Sequence, residues 1–290
     1  MPTPNIPSQL SALWVGFVAY KSTHLNPNTI SKSYGYKGRI IEKIPPYCSS
    51  AKDIIDWLET AHSNEVNRRL IESCIGCYDW AMRTERIDNN PFQRYKGHFP
   101  KRAKPQCYAF THEERQAIIE AFHLEAPQFY PYISFCFRTG CRHEEARGLE
   151  WNGVKQSYIH FYQAVASHFT EPTPLKTNDT RIFPITPKIR AIFDQQRGIS
   201  DRWVFPSLLG KTIDGCTFRS RHWVPILTAL ENKGHISQYL PPKHTRHTFI
   251  TLSLREGKDV TDIAKLVGNS AETIWKHYAA AARDITVEDF

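Results

Sequence analysis

The feature that most constrains this chain is a break in its patterning near residue 90. Upstream, Leu70, Ile71, Cys74, Cys77, Tyr78 and Ala81 recur at spacings of three and four, the period that lines one face of a helix with apolar side chains. The stripe predicts a long helix over roughly Ser63 to Thr84, ended by Ile87-Asp88-Asn89-Asn90-Pro91, because asparagine favours turns and proline removes a backbone donor. Arg94-Tyr95-Lys96-Gly97-His98-Phe99-Pro100-Lys101-Arg102-Ala103-Lys104 follows, with five basic residues in eleven. A basic stretch interrupted by glycine and proline reads as a connector. The chain therefore divides into a helical domain 1–93, a basic interdomain linker 94–106 and a second domain 107–290.

The remainder of the first domain is helical as well. Asn28 or Thr29 can open a helix after Pro27 that runs through Ile30, Tyr34 and Tyr36 towards Ile40 and Ile41. Ser50 can cap the next, with Ile54, Ile55, Trp57 and Leu58 as its buried stripe. In the second domain Thr111-His112-Glu113-Glu114 is a capping-box signature ahead of Ile118 and Ile119. The aromatic and apolar stretch Tyr130 to Phe137 leads into Thr139-Gly140-Cys141-Arg142. Tyr158 to Tyr162 and Thr180 to Ile185 are strand candidates, with the polar loop Lys176-Thr177-Asn178-Asp179 between them. After Trp203-Val204-Phe205-Pro206 the pattern is mostly helical, so the expected fold is mainly α with a small β-sheet or hairpin.

Charge points to the partner. The net charge of +8 and the pI near 9.1 suit a polyanion, since lysine and arginine supply the salt-dependent, sequence-independent part of DNA affinity. The surplus is concentrated: residues 1–106 hold 15 Lys and Arg against 9 acids, and residues 107–290 hold 22 against 20. Arg94, Lys96, Lys101, Arg102 and Lys104 are accordingly read as a strap on the phosphates of double-stranded DNA. No run of 18 apolar residues predicts a membrane span, and Met1-Pro2-Thr3-Pro4-Asn5 lacks the features of a signal peptide. A cytoplasmic location is expected. Seven scattered cysteines argue against a disulfide framework. Cys74-Ile75-Gly76-Cys77 has metal-site spacing but lies within the helical stripe, so two buried small residues are the better reading.

Four segments carry chemistry. Arg142 follows a Thr-Gly turn at the start of a predicted helix, where a guanidinium is a fixed fork for two phosphate oxygens. Lys176 stands on the candidate hairpin, five residues before Arg181 and the strand Ile182-Phe183-Pro184-Ile185. Lys243-His244-Thr245-Arg246-His247-Thr248-Phe249 brings a second arginine. Leu266-Val267-Gly268-Asn269 follows the stripe Val260, Ile263, Leu266, Val267, with Gly268 placed to cap that helix and Tyr278 nine residues beyond Asn269.

The order, flanking residues and spacing of these segments resemble the tyrosine recombinases, the phage-integrase family. Tyr78-Asp79-Trp80-Ala81-Met82 and Ile87 to Phe92 also look like the end of that family's core-binding domain. The resemblance implies a helical, SAM-like core DNA-binding domain followed by a DNA breaking-rejoining catalytic domain with a C-terminal tail. It implies site-specific recombination, the integration or excision of a mobile element, through a 3′-phosphotyrosyl intermediate formed by Tyr278. Arg142 and Arg246 would neutralise the transition state, and Lys176 would act as general acid or, equally, as an ammonium that neutralises developing charge with no proton transfer. No metal or nucleotide cofactor is implied. Expected partners are DNA, further copies in a tetramer on paired sites, and accessory DNA-bending or directionality proteins, in the nucleoid of a bacterial host.

Two positions depart from the family pattern. Lys243 stands where histidine is usual, and Asn269 replaces histidine or tryptophan. Asn269 can donate a hydrogen bond to a phosphate oxygen but carries no proton. Three readings are open at the first position: Lys243 as an electrostatic clamp, Lys243 as a base perturbed by neighbouring cations, or His244 turned into the site. The clamp is preferred. After Tyr278, the apolar Ile285, Val287 and Phe290 suggest that the tail docks on a neighbouring protomer. Type IB topoisomerase activity and a DNA-binding protein with altered catalysis are the alternatives.

Overall fold

A computed structural model describes residues 5–101, 108–167, 169–175 and 180–278. Lys176, Arg102, Lys104 and the tail after Tyr278 lie outside the described residues. The chain forms two compact units, Met1–Lys104 and Pro105–Phe290.

The first unit is built from α1 (Ile6–Ser22), α2 (Pro27–Thr29), α3 (Gly35–Ile41), α4 (Ala51–Ala61) and α5 (Asn64–Arg83). Ser50 caps α4 through a capping box with Asp53, as its sequence predicts. The helix expected to start at Asn28 or Thr29 is capped instead by Asn26, whose side chain accepts from the Asn28 amide. A π-helical turn at Ile30–Tyr34 joins α2 to α3. Helix α1 falls within the region read as helical, though no cap or stripe in the sequence delimits it; it lays Leu10, Trp14 and Phe17 in the core. A Cβ on Gly16 would lie 2.8 Å from Trp80, so glycine permits the approach of α1 to α5. Cys74 and Cys77 are buried on α5, and no group of three or more potential metal ligands occurs among the described residues. After α5, Asn90 donates to the Ile75 carbonyl (3.1 Å) and to Asp79 (2.7 Å), which fixes the turn. Phe92 and Phe99 are buried with this core, so the basic segment is anchored here as far as Phe99. Arg94, Lys96 and Lys101 remain exposed.

The second unit contains α6 (His112–Glu125), α7 (Tyr130–Thr139), α8 (His143–Arg147), strands β1 (Tyr158–Phe161), β2 (Gln163–Ala164), β3 (Thr173–Pro174) and β4 (Arg181–Pro184), then α9 (Pro187–Gln196), α10 (Gly215–Phe218), α11 (Val224–Asn232), α12 (His244–Arg255), α13 (Val260–Val267) and α14 (Ala271–Tyr278). Helix α7 is its axis. Tyr132, Ile133, Phe135, Cys136 and Phe137 are all buried, the signature of a helix enclosed on every side. It packs against α6, α9 and α12. The two strand candidates pair antiparallel, Tyr158 opposite Pro184 and Phe161 opposite Arg181. Their inward residues Ile159, Phe161 and Phe183 join the α7 core. The capping box at Thr111 and Glu114 is present, and Glu114 also reaches across to accept from the Ser237 amide (2.7 Å). A smaller cluster of Ile250, Leu254, Ile263, Val267, Ile274 and Tyr278 locks α13 and α14 onto α12. The mainly helical fold, with two small two-stranded antiparallel sheets (β1 with β4, β2 with β3) among the described residues, agrees with the sequence reading.

Candidate active site

The site is assembled at the C-terminal end of α7. Gly140 ends that helix with φ +59° and ψ +19°, a left-handed conformation that glycine adopts without steric cost. A Cβ there would come within 2.5 Å of the Phe249 ring on α12. Glycine thus serves both the turn and the contact between α7 and α12. Two residues on, Arg142 sits at the start of α8, its amide held by Glu145 (2.7 Å).

Glu145 organises the basic groups. Its oxygens accept from Arg142 Nη1 (2.8 Å), Arg181 Nη1 (2.8 Å) and Arg181 Nη2 (2.6 Å). Burial pushes the Glu145 carboxyl up, but the hydrogen bonds and charge of Arg181, with Arg142, outweigh it and hold the group below its ordinary range. Arg181 is buried, donates its Nε to the Leu266 carbonyl (2.9 Å) and lies over the Phe161 ring (4.2 Å). It therefore ties β4 to α8 and to the end of α13. Arg142 is about half exposed, at 47%, and its Nη2 makes long contacts to Gly268 O (3.4 Å) and Asn269 Oδ1 (3.5 Å). Gly268 caps α13 in the left-handed region, with φ +66°.

Arg246 comes from the first turns of α12 and is buried. Its Nη1 donates to the Gly140 carbonyl (2.9 Å), so the turn that places Arg142 also holds Arg246. Its Nη2 is buried and has no acceptor among the described residues. Burial, then the charge of Arg142, brings Arg246 down to about 10, which leaves it cationic at neutral pH. A further buried arginine, Arg147, donates to the carbonyls of Val165 and Ile213 (3.3 Å to the latter) and joins two loops at the site's edge.

Of the expected site residues, Arg142, Lys243, Arg246, Asn269 and Tyr278 all line one cavity of about 490 Å³. Lys176 lies outside the described residues. The reading in which His244 turns into the site is wrong: that side chain is buried, and its Nδ1 lies 2.9 Å from the Tyr108 carbonyl. Lys243 is exposed at the start of α12, facing the cavity. His143 braces this segment from below. Tyr132 donates to His143 Nδ1 (2.8 Å) and His143 Nε2 donates to the Pro242 carbonyl (2.8 Å). Burial brings His143 down to about 4.

The structure adds one residue that the sequence did not single out. His247 lines the same cavity, and its Nδ1 is 2.5 Å from the Tyr278 hydroxyl. These residues are 31 positions apart; only the return of α14 against α12 joins them, and no spacing rule signals the pair. Tyr278 itself is buried in the α12–α14 cluster.

The Phage integrase family profile matches residues 109–284, well over half of the chain. This chain belongs to the phage integrase family. Among curated members, the Tyrosine recombinase XerC of Bacillus subtilis (strain 168) is 24% identical over 253 residues, 79% of this chain and 76% of that protein. The Integrase of Streptomyces ambofaciens is 23% identical over 251 residues, 78% of this chain and 63% of its own length. Among solved structures, the Tn1549 transposon integrase in complex with a circular intermediate DNA superposes with a TM-score of 0.77 at 15% identity, over 93% of this chain and 94% of that one. A lambda integrase tetramer bound to a Holliday junction gives 0.71 at 12% identity, over 95% and 79%. The fold of this integrase-family chain is thus shared with those structures, and membership gives its activity class as tyrosine-type site-specific recombination.

Proposed function

We propose that this integrase-family protein cuts and rejoins double-stranded DNA with Tyr278 as nucleophile and Arg142 and Arg246 as the phosphate clamp. The observation that carries the reading is Arg246 Nη2, a buried charged donor without an acceptor among the described residues, in the cavity that Tyr278 also lines. A buried cationic donor left unpaired is costly, and a phosphate oxygen in that cavity would satisfy it. Attack forms the bond between Tyr278 Oη and phosphorus and breaks the bond to the 5′ oxygen, leaving a 3′-phosphotyrosyl link and a 5′ hydroxyl. A second 5′ hydroxyl reverses the step, so phosphodiester energy is stored in the adduct.

The remaining roles follow the same logic. Lys243, exposed at the cavity mouth, acts as an electrostatic clamp. Asn269 turns its carbonyl oxygen to Arg142, which leaves its amide to donate to a non-bridging oxygen. Lys176 keeps the general-acid role that family resemblance gives it. Unit 1, with Arg94, Lys96, Lys101, Arg102 and Lys104, is the core-binding domain and its basic strap. Several protomers, a tetramer at paired sites, carry out the exchange in the bacterial nucleoid to integrate or excise a mobile element, with accessory DNA-bending or directionality proteins. The solved lambda integrase tetramer on a Holliday junction supports that assembly.

A pool of nicked duplexes of randomised sequence tests this reading. Cleavage beside the nick releases a short strand and traps the covalent adduct, whose DNA is then sequenced. Wild type is expected to enrich one sequence in the adduct and Tyr278→Phe to form none. Arg246→Ala should slow adduct formation by about a hundredfold or more. Absence of adduct with wild type, or its persistence in Tyr278→Phe, overturns the assignment.

A further inference from the structure

The cavity leaves one chemical question open: which group receives the proton of the attacking tyrosine. Arg142 and Arg246 are donors only, and Asn269 has no basic lone pair. His244, the histidine nearest in sequence to the expected position, is occupied with the Tyr108 carbonyl. His247 is placed differently. Its Nδ1 lies 2.5 Å from Tyr278 Oη, and the two ring centroids are 5.5 Å apart with planes inclined at 39°.

We infer that His247 is the general base of the cleavage step: its Nδ1 takes the proton of Tyr278 as Oη attacks phosphorus, and returns it when the strand is resealed. The inference rests on the assignment of Tyr278 as nucleophile. With the imidazole proton on Nε2, Nδ1 offers a lone pair along the O–H bond, at the heavy-atom distance a proton transfer requires. The balance closes. The Tyr278 O–H bond breaks and its proton passes to His247, the Oη–P bond forms, and the P–O5′ bond breaks. The departing oxygen takes a proton from Lys176, or from water where that ammonium only neutralises charge.

The surroundings keep the imidazole free of a proton beforehand. The ionisable groups facing it are Lys243, His244 and Arg246 on α12, and Tyr278 and His277 on α14. Burial, then the charges of His244, Lys243, Arg246 and His277, brings His247 down to about 4, so it is neutral at pH 7. The same cationic wall stabilises the tyrosinate as it forms. His247 thereby supplies the proton acceptor that Lys243 and Asn269 do not.

The test uses the full chain and the nicked duplex recovered from wild-type adducts, under single-turnover conditions. His247→Ala and His247→Asn should both retain gel-shift binding and slow adduct formation by about a hundred- to ten-thousand-fold. In the variants the rate should climb about tenfold per pH unit from pH 7 to 9, as hydroxide replaces the missing base, while wild type stays flat. Added imidazole should restore part of the His247→Ala rate. On a duplex with a 5′-bridging sulfur, whose thiolate leaves without a proton, the His247 variants should stay slow, whereas Lys176→Ala should recover. Absence of any wild-type adduct sinks the nucleophile assignment itself. A wild-type adduct with either His247 variant reacting within threefold of it overturns only the base. A slow variant with an unchanged pH profile and no imidazole rescue also overturns it, reducing His247 to a positioning residue.

Discussion

At the scale of single residues, the site depends on one carboxylate. Glu145 is fully buried and compensates two guanidiniums, Arg142 and Arg181. Arg181 is itself only 6% exposed, so removing Glu145 strands a buried cation instead of a solvated one. Glu145→Ala is expected to cost roughly 3–5 kcal/mol of stability, measured by chemical denaturation. Glu145→Gln should cost less and still lower the cleavage rate, because Arg142 loses its ionic anchor. Unchanged stability in Glu145→Ala would remove the carboxylate from this role. Sequence could place Glu145 three residues after Arg142 and Arg181 five after Lys176. It could not show that this acid and Arg181 meet out of water, because a charge's burial depends on what folds over it.

At the scale of elements, local signals were legible and long-range returns were not. The caps at Ser50 and Thr111, the stripe of α5 and the Gly268 cap all rest on neighbours within a few residues, as does the alternation within each of β1 and β4, though not their pairing. The bounds of α1 escaped because its stripe of Leu10, Trp14 and Phe17 is blurred by apolar residues such as Val15, which is 73% exposed. The π-turn at Ile30–Tyr34 left no compositional mark. The His247–Tyr278 contact exists only because the cluster around Ile263 and Ile274 folds α14 back on α12. Gly140 tests the junction of α7 with α12. Gly140→Ala forces a left-handed alanine and drives Cβ towards Phe249, at an expected cost of roughly 1–3 kcal/mol. Its cleavage rate should fall by more than about tenfold even where the protein stays folded, since small misplacements of reacting groups are expensive. A Gly140→Ala protein with wild-type single-turnover kinetics would contradict this.

At the scale of the whole molecule, buried histidines set the acid limit. His143 and His247 are each held near 4 by burial first, against an ordinary value near 6.5. The unfolded chain therefore binds these protons more readily than the folded one, and stability must fall with pH in that window. The loss begins as pH drops below about 6.5 and is complete below about 4. Thermal melts between pH 7.5 and 4.5 should show a falling Tm, and His143→Gln should flatten the slope whatever its effect at pH 7.5. A melting temperature independent of pH over that range would refute the assignment. The two compact units meet in the sequence at the end of the basic stretch 94–104, where charge and periodicity change. The depth of individual histidines has no such mark in the sequence, because thirteen of them share one composition and differ only in their surroundings.

The Gly140 carbonyl has a consequence for control. Arg246 hangs from it, and the same turn leads into Arg142. A shift at the end of α7 would therefore act on both cations together. A pull on this turn, whatever its source, would be felt at Arg142 and Arg246 at once and not at either alone.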